Sequence, residues 1–230
     1  MSRSYRTIAR AAEVDLEVKR SIFRCRLEHV TDEASARAVI ERARAEHWAA
    51  RHHCSAFILG PDGQTARSSD DGEPPGTAGA PMLEVLRGAE LTEVVAVVTR
   101  WFGGTLLGAG GLVRAYSEAV REAVAAAGVR RRELQAEFTL ALDHAIAGRV
   151  ESELRARGLT VLDTGYAAMV TLRLGVPDDE ADRLNTIVAE LTAGSAEAQR
   201  VGESWVDASQ ARPRGHNDAS SARSSARAGR

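Results

Sequence analysis

Two short runs in this chain carry the residue types from which chemistry is built. Arg51-His52-His53-Cys54 sets two imidazoles beside a thiol, and Ser69-Asp70-Asp71-Gly72-Glu73-Pro74-Pro75-Gly76 packs three carboxylates between turn-forming residues. Imidazole and thiolate can ligate a metal. On a strand, however, neighbours point to opposite faces, so at most His52 and Cys54 share a side. A closed zinc site takes four ligands, and no second Cys or His cluster completes one, so no metal is expected. Asp70, Asp71 and Glu73 could hold a hard cation such as magnesium or position a general base, with His53 as an acid–base partner. The plainer account is structural: Asp-Gly and Pro-Pro-Gly suit tight turns, and acids ahead of a helix favour its N-terminus. For these three carboxylates the two accounts stand level on sequence alone.

A third run, Arg100-Trp101-Phe102-Gly103-Gly104-Thr105-Leu106-Leu107-Gly108-Ala109-Gly110-Gly111, reads as a strand end, a glycine-rich loop and a helix start. Backbone N–H groups at Gly103, Gly104, Gly110 and Gly111 could cradle a phosphate, with Arg100 or Arg114 supplying charge. Close packing of helix on strand accounts for some of these glycines equally well. No Gly-Lys-Ser/Thr follows, which excludes a Walker A loop. A dinucleotide fingerprint is also absent, because no G-x-G-x-x-G lies in register. Ser117 lacks a nucleophile elbow, and neither Cys25 nor Cys54 sits in a catalytic signature. No catalytic residue and no cofactor is assigned.

These runs must be held by a scaffold of ordinary globular composition. The 230 residues are 44% hydrophobic with a net charge of -2, so no global field favours nucleic acid and any such contact must come from a local patch. Of the 30 basic side chains only Lys19 is lysine. It either marks a site that a planar guanidinium cannot serve or is retained by chance. Two cysteines are too few for a disulfide framework, and no long apolar run appears. A cytoplasmic protein without a membrane span is expected.

Alternation at Val14, Leu16 and Val18, then at Ile22 or Phe23, Cys25 and Leu27, predicts two half-buried strands. Asp32 caps a helix to about Trp48, whose apolar stripe is read as Ala34, Ala38, Val39 or Ile40, and Ala43. His53 to Leu59 and Gln64 to Ser68 form a hairpin around Gly60-Pro61-Asp62-Gly63. A short helix near Ala80–Leu86 and an apolar strand from Val94 to Trp101 follow. A helix then runs from Leu112 to a Gly128 cap. Arg130-Arg131-Arg132 looks like a boundary. Beyond it the order is βαββαβ, the ferredoxin-like unit. From Asp207 onward five arginines stand against two aspartates without apolar periodicity, and a disordered tail is expected.

Several of these runs, together with Glu17-Val18-Lys19-Arg20-Ser21-Ile22-Phe23, Gly76-Thr77-Ala78-Gly79 and Val97-Val98-Thr99-Arg100-Trp101-Phe102-Gly103-Gly104, resemble the IMPACT/YigZ family. The resemblance covers roughly residues 5–207. It implies an α+β chain: a ribosomal-protein/GHMP-kinase-like α/β sandwich over 1–132, a ferredoxin-like domain over 133–207 similar to domain V of elongation factor G, and a tail over 208–230. Eukaryotic relatives carry a further recognition domain in front and act in translational control, and their partner contacts are not carried over to this chain. The likeness of both domains to parts of a ribosomal translocase implies RNA or the ribosome as the partner class. The candidate binding residues are Lys19, Arg51, His52, His53, Asp70, Asp71, Glu73, Arg100, Gly103, Gly104, Gly110, Gly111 and Arg114. A magnesium-dependent phosphate-handling enzyme and a protein-binding regulatory adaptor are the alternatives.

Overall fold

Apolar residues at every second position, with Glu13, Asp15 and Glu17 between them, make β2 (Ala12–Val18) an amphipathic strand. It turns back at once into β3 (Ser21–His29), with Val18 paired to Ser21. In this computed structural model, which describes residues 3–208, β3 pairs with β6 (Val94–Trp101), and β6 with β4 (His52–Leu59). β5 (Thr65–Ser69) closes the edge, giving the antiparallel order β2-β3-β6-β4-β5. Val94 through Val98 are fully buried because helices cover both faces of the sheet. On one face lie α2 (Gly79–Gly88) and α3 (Gly108–Ala127), and on the other α1 (Glu33–Glu46).

Asp32 caps α1 as expected, its carboxylate accepting the Ser35 N–H at 2.7 Å. The stripe that faces the sheet is Ala36, Val39 and Ala43, whereas Ala34 and Ala38 are exposed. Alanine commits a helix to no particular face. The β-branched Val39 does, by seating against Phe57 and Val97.

The second sheet is built on β7 (Val129–Leu142). It runs in the order β10-β7-β9-β8, from β10 (Gln199–Asp207), β9 (Val170–Val176) and β8 (Thr160–Tyr166). With α4 (His144–Ala156) and α5 (Ala181–Thr192) over Leu140, Leu172 and Leu174, this is the expected ferredoxin-like βαββαβ arrangement. Among the described residues no helix is long and apolar enough to cross a membrane. The expected tail lies outside the described residues apart from Ala208.

Two features add to the sequence expectations. Arg130-Arg131-Arg132, taken as a boundary, lies inside β7, which runs unbroken from Val129. A strand not anticipated, β1 (Ser4–Ile8), pairs with this first stretch of β7, matching Ser4 to Glu133 and Ile8 to Val129. β1 also reaches the first sheet. The Arg6 carbonyl accepts the Thr92 N–H at 3.0 Å, the Tyr5 hydroxyl donates to the Glu93 carboxylate, and Ile8 packs in the core under α2 and α3. A five-residue strand whose partner lies some 125 positions away has no local signature.

Because Ile8 is buried in the core of one sheet while its backbone belongs to the other, Ile8→Ala is expected to cost about 2–5 kcal/mol. Urea unfolding followed by fluorescence and by far-UV dichroism measures the loss.

Candidate functional site

The β-sheet register gathers most of the candidate residues at one end of the first sheet. Phe23, Arg100 and His52 form one cross-strand row, with Ile22 and Trp101 paired just beyond it. Lys19 and Arg20 form the β2–β3 turn at this end, and Arg51 precedes β4 there.

Both residues of the β2–β3 turn have positive φ, 47° at Lys19 and 66° at Arg20, as a two-residue type I′ hairpin requires. Neither is the Asn or Gly such a turn favours, and each left-handed residue costs roughly 1–2 kcal/mol. The loop after β6 packs against this turn. Ser21 Oγ accepts the Gly103 N–H at 3.1 Å, and a Cβ on Gly103 would overlap the Arg20 carbonyl group. Gly104, at φ +85°, follows beside the Arg20 guanidinium. Gly103 and Gly104 are therefore explained by close approach and by backbone conformation. Gly110 and Gly111 lie in the first turn of α3, where Gly110 faces open space. No side chain caps this helix start and no acid lies in its first turn.

The acidic run has a different fate for each carboxylate. Asp70 accepts N–H bonds from Gly76 (2.8 Å), Ala78 (3.0 Å) and Gly79 (2.8 Å), so it closes its own loop and caps α2. Burial works to raise its pKa, but these three bonds outweigh it and hold the carboxyl below the ordinary aspartate value. Asp71, at φ 42°, accepts the His53 N–H at 2.6 Å and an Arg44 N–H at 2.7 Å. Its carbonyl lies 2.9 Å from His52 Nδ1. Glu73, 7% exposed, accepts from Arg100 Nη1 at 2.6 Å and from the Tyr116 hydroxyl at 2.7 Å. Burial pushes the Tyr116 hydroxyl far above its usual range.

Arg100 was expected to offer charge to a phosphate, and the structure corrects this. It is 7% exposed, ion-paired to Glu73, and has the rings of Phe23 and Phe102 5.3 and 5.9 Å from its Cζ. The magnesium account of Asp70, Asp71 and Glu73 is likewise unsupported. Both oxygens of Asp70 and of Asp71 and one oxygen of Glu73 are engaged by protein donors, and no group of three or more His, Cys, Asp or Glu among the described residues is arranged to hold a metal. Strand alternation separates the histidines. His52 lies on the α2/α3 side with Cys54, whereas buried His53 faces α1 with its Nδ1 3.1 Å from Thr99 Oγ1. Burial lowers the His53 pKa against the opposing pull of Asp71. Cys54 is fully buried 3.3 Å from the Tyr116 hydroxyl, and burial raises its thiol pKa to about 12, so it is no nucleophile.

What remains exposed is cationic and apolar. Lys19, Arg51 and Arg114 have no ion pair or side-chain hydrogen bond among the described residues. Arg20 meets only the Thr105 hydroxyl, at 3.4 Å. Beside them Phe102 and Leu106 are 56% and 84% exposed. Arg20, Phe102 and Leu106 escaped the sequence reading. Arg20 stood next to the singled-out Lys19, but nothing local marks the other two as exposed.

Fold and surface together define a two-sheet α+β protein with a glycine-shaped, positively charged loop surface at one end of its first sheet. The Impact N-terminal domain family matches residues 19–124, and a domain of unknown function, DUF1949, matches 140–195. The chain is 38% identical over 197 residues to the IMPACT family member YvyE of Bacillus subtilis, covering 86% of this chain and 91% of that protein. It is also 38% identical over 189 residues to the IMPACT family member YigZ of Escherichia coli, covering 81% and 93%. The crystal structure of a hypothetical protein superposes with a TM-score of 0.59 at 36% identity, over 87% of this chain and 98% of that one. The chain belongs to the IMPACT family.

Two substitutions test the assignment of the acidic run to structure. Glu73→Ala strands a buried guanidinium, so it is expected to cost about 3–5 kcal/mol in chemical denaturation. Asp70 has a native pKa below its unfolded value near 3.9, so its contribution is complete above that pH and is lost as pH falls through the native pKa. The stability gap between wild type and Asp70→Asn should therefore be full at neutral pH and close in strong acid. Denaturation curves at a series of pH values would show it.

Proposed function

We propose that this protein is a non-catalytic, translation-linked factor that binds RNA, at the ribosome, through the end of the first sheet. The carrying observation is the set of unpaired cations there: Lys19, Arg51 and Arg114, with Arg20 at the loop. Many of the other arginines are held in ion pairs, as Arg24 is by Asp15 and Arg26 by Glu13 and Glu46. Cationic charge left unpaired at one end of the sheet is what a phosphate backbone would neutralise. The start of α3 adds backbone N–H donors with no acid in its first turn, and exposed Phe102 offers a ring for a base to stack on. Membership of the IMPACT family, whose eukaryotic members the sequence resemblance links to translational control, favours ribosomal RNA as the partner.

The enzyme reading receives less support, because its carboxylates and thiols are consumed by the fold. The adaptor reading rests on exposed Phe102 and Leu106, which suit a protein partner as well as a base. Filter binding of single-stranded ribosomal RNA fragments across a salt series separates the two. Affinity should fall with salt, and Lys19→Ala combined with Arg114→Ala should flatten the log–log slope by about 1.4, at roughly 0.7 per lost phosphate contact. An unchanged affinity and slope in the double variant, or salt-independent binding, refutes the reading.

A further inference from the structure

A pocket lies on the opposite face of the first sheet, away from the glycine loop. It has a volume of about 320 Å³ and opens between α1 and the edge strand β5. Arg37, Ile40, Glu41 and Arg44 line it from α1 at helical i, i+3, i+4 and i+7 spacing, so one stripe of the helix forms a wall. β5 forms the other wall with Arg67 and Ser69. The floor is Ser55 and Phe57 of β4, their direct cross-strand partners. Ser55 is 5% exposed and its hydroxyl makes no hydrogen bond among the described residues. Ser55 lines the pocket, so its hydroxyl is available to a water or ligand there.

Three guanidinium groups line the pocket against one lining carboxylate, Glu41. Glu33 and Asp71, outside the lining, also pair with these arginines, so the cluster as a whole is charge-balanced. Glu33 accepts Arg37 Nε and Nη2 and sits 3.7 Å from Arg67 Nε, while Asp71 and Glu41 hold the two terminal nitrogens of Arg44. These contacts steady the arginines while leaving Arg37 Nη1, Arg44 Nε and the N–H groups of Arg67 without hydrogen-bond acceptors among the described residues. The guanidinium N–H groups left over from these pairs border the same cavity as the Ser55 hydroxyl and suit the oxygens of a tetrahedral oxyanion, and Ile40 with Phe57 gives an apolar patch for a small organic group.

We propose that this pocket binds the phosphate group of a small phosphate monoester, with Arg37, Arg44 and Arg67 on its oxygens and Ser55 donating from below. The site is independent of the RNA surface proposed above. The test is a titration of the ¹⁵N-labelled full chain with inorganic phosphate and with glycerol 3-phosphate, against chloride at matched ionic strength. Saturable amide shifts at Ser55, Ser69 and Arg37 are expected, with glycerol 3-phosphate binding more tightly. The exposed charge reversals Arg37→Glu and Arg67→Glu should each weaken binding about tenfold, the worth of one charge-assisted hydrogen bond. Ser55→Ala should weaken it several-fold with the rest of the spectrum intact. Lys19→Ala with Arg114→Ala should leave these shifts unchanged. The same shifts with chloride, shifts confined to residues 103–114, or full binding by the Arg37→Glu variant overturns the proposal.

Discussion

The buried contact between Glu73, Arg100 and Tyr116 is the point on which the working end of the first sheet depends. It joins the acidic loop, the end of β6 and the third turn of α3 through a single carboxylate oxygen. None of the three groups could be buried alone. An isolated carboxylate or guanidinium would pay a desolvation cost of several kcal/mol, which the ion pair and its added hydrogen bond offset. Once the pair forms, the loop over residues 69–79 has its far end fixed. Asp70 then lies where it can cap α2, and Asp71 where it can bridge β4 and α1. The acidic run is an internal brace, and its charge is directed inward.

That inward use of acid has an electrostatic consequence. The carboxylates of the acidic run are engaged by Arg100 and Arg44 or by backbone donors, so their charge is spent within the fold. The cations of the turn, of α3 and of the residue before β4 are left facing solvent. The glycines complete the arrangement by geometry. Gly103 lets the loop press against the Arg20 carbonyl group, and this contact supports a hairpin turn whose two residues would otherwise resist their left-handed conformation. A low net charge for the whole chain is therefore compatible with a local positive surface.

The periodic elements were legible in the sequence. β6 and the α3 cap at Gly128 follow from composition and spacing, and the βαββαβ order over the C-terminal half needs only the switch between periods of two and 3.6. β1 was not legible, because SYRTI acquires its meaning from β7 and from Leu91 and Glu93 far along the chain. The partners of the arginine triplet were equally hidden. Arg130 pairs with Asp207, and Arg132 bonds to Tyr5 and the Trp205 carbonyl, inside a strand.

At the candidate site the division is sharper. Residue types and local spacing were sufficient to locate the two glycine-rich loops, to show that His52 and His53 must part, and to place the family. They could not say which charges are spent. Arg100 and Arg114 are equivalent cations as letters, but one is sealed against Glu73 and the other meets no carboxylate. Asp70, Asp71 and Glu73 are likewise equal until the fold gives each a different set of donors. Charge compensation depends on distances of about 3 Å between residues tens of positions apart, so only the tertiary structure decides it.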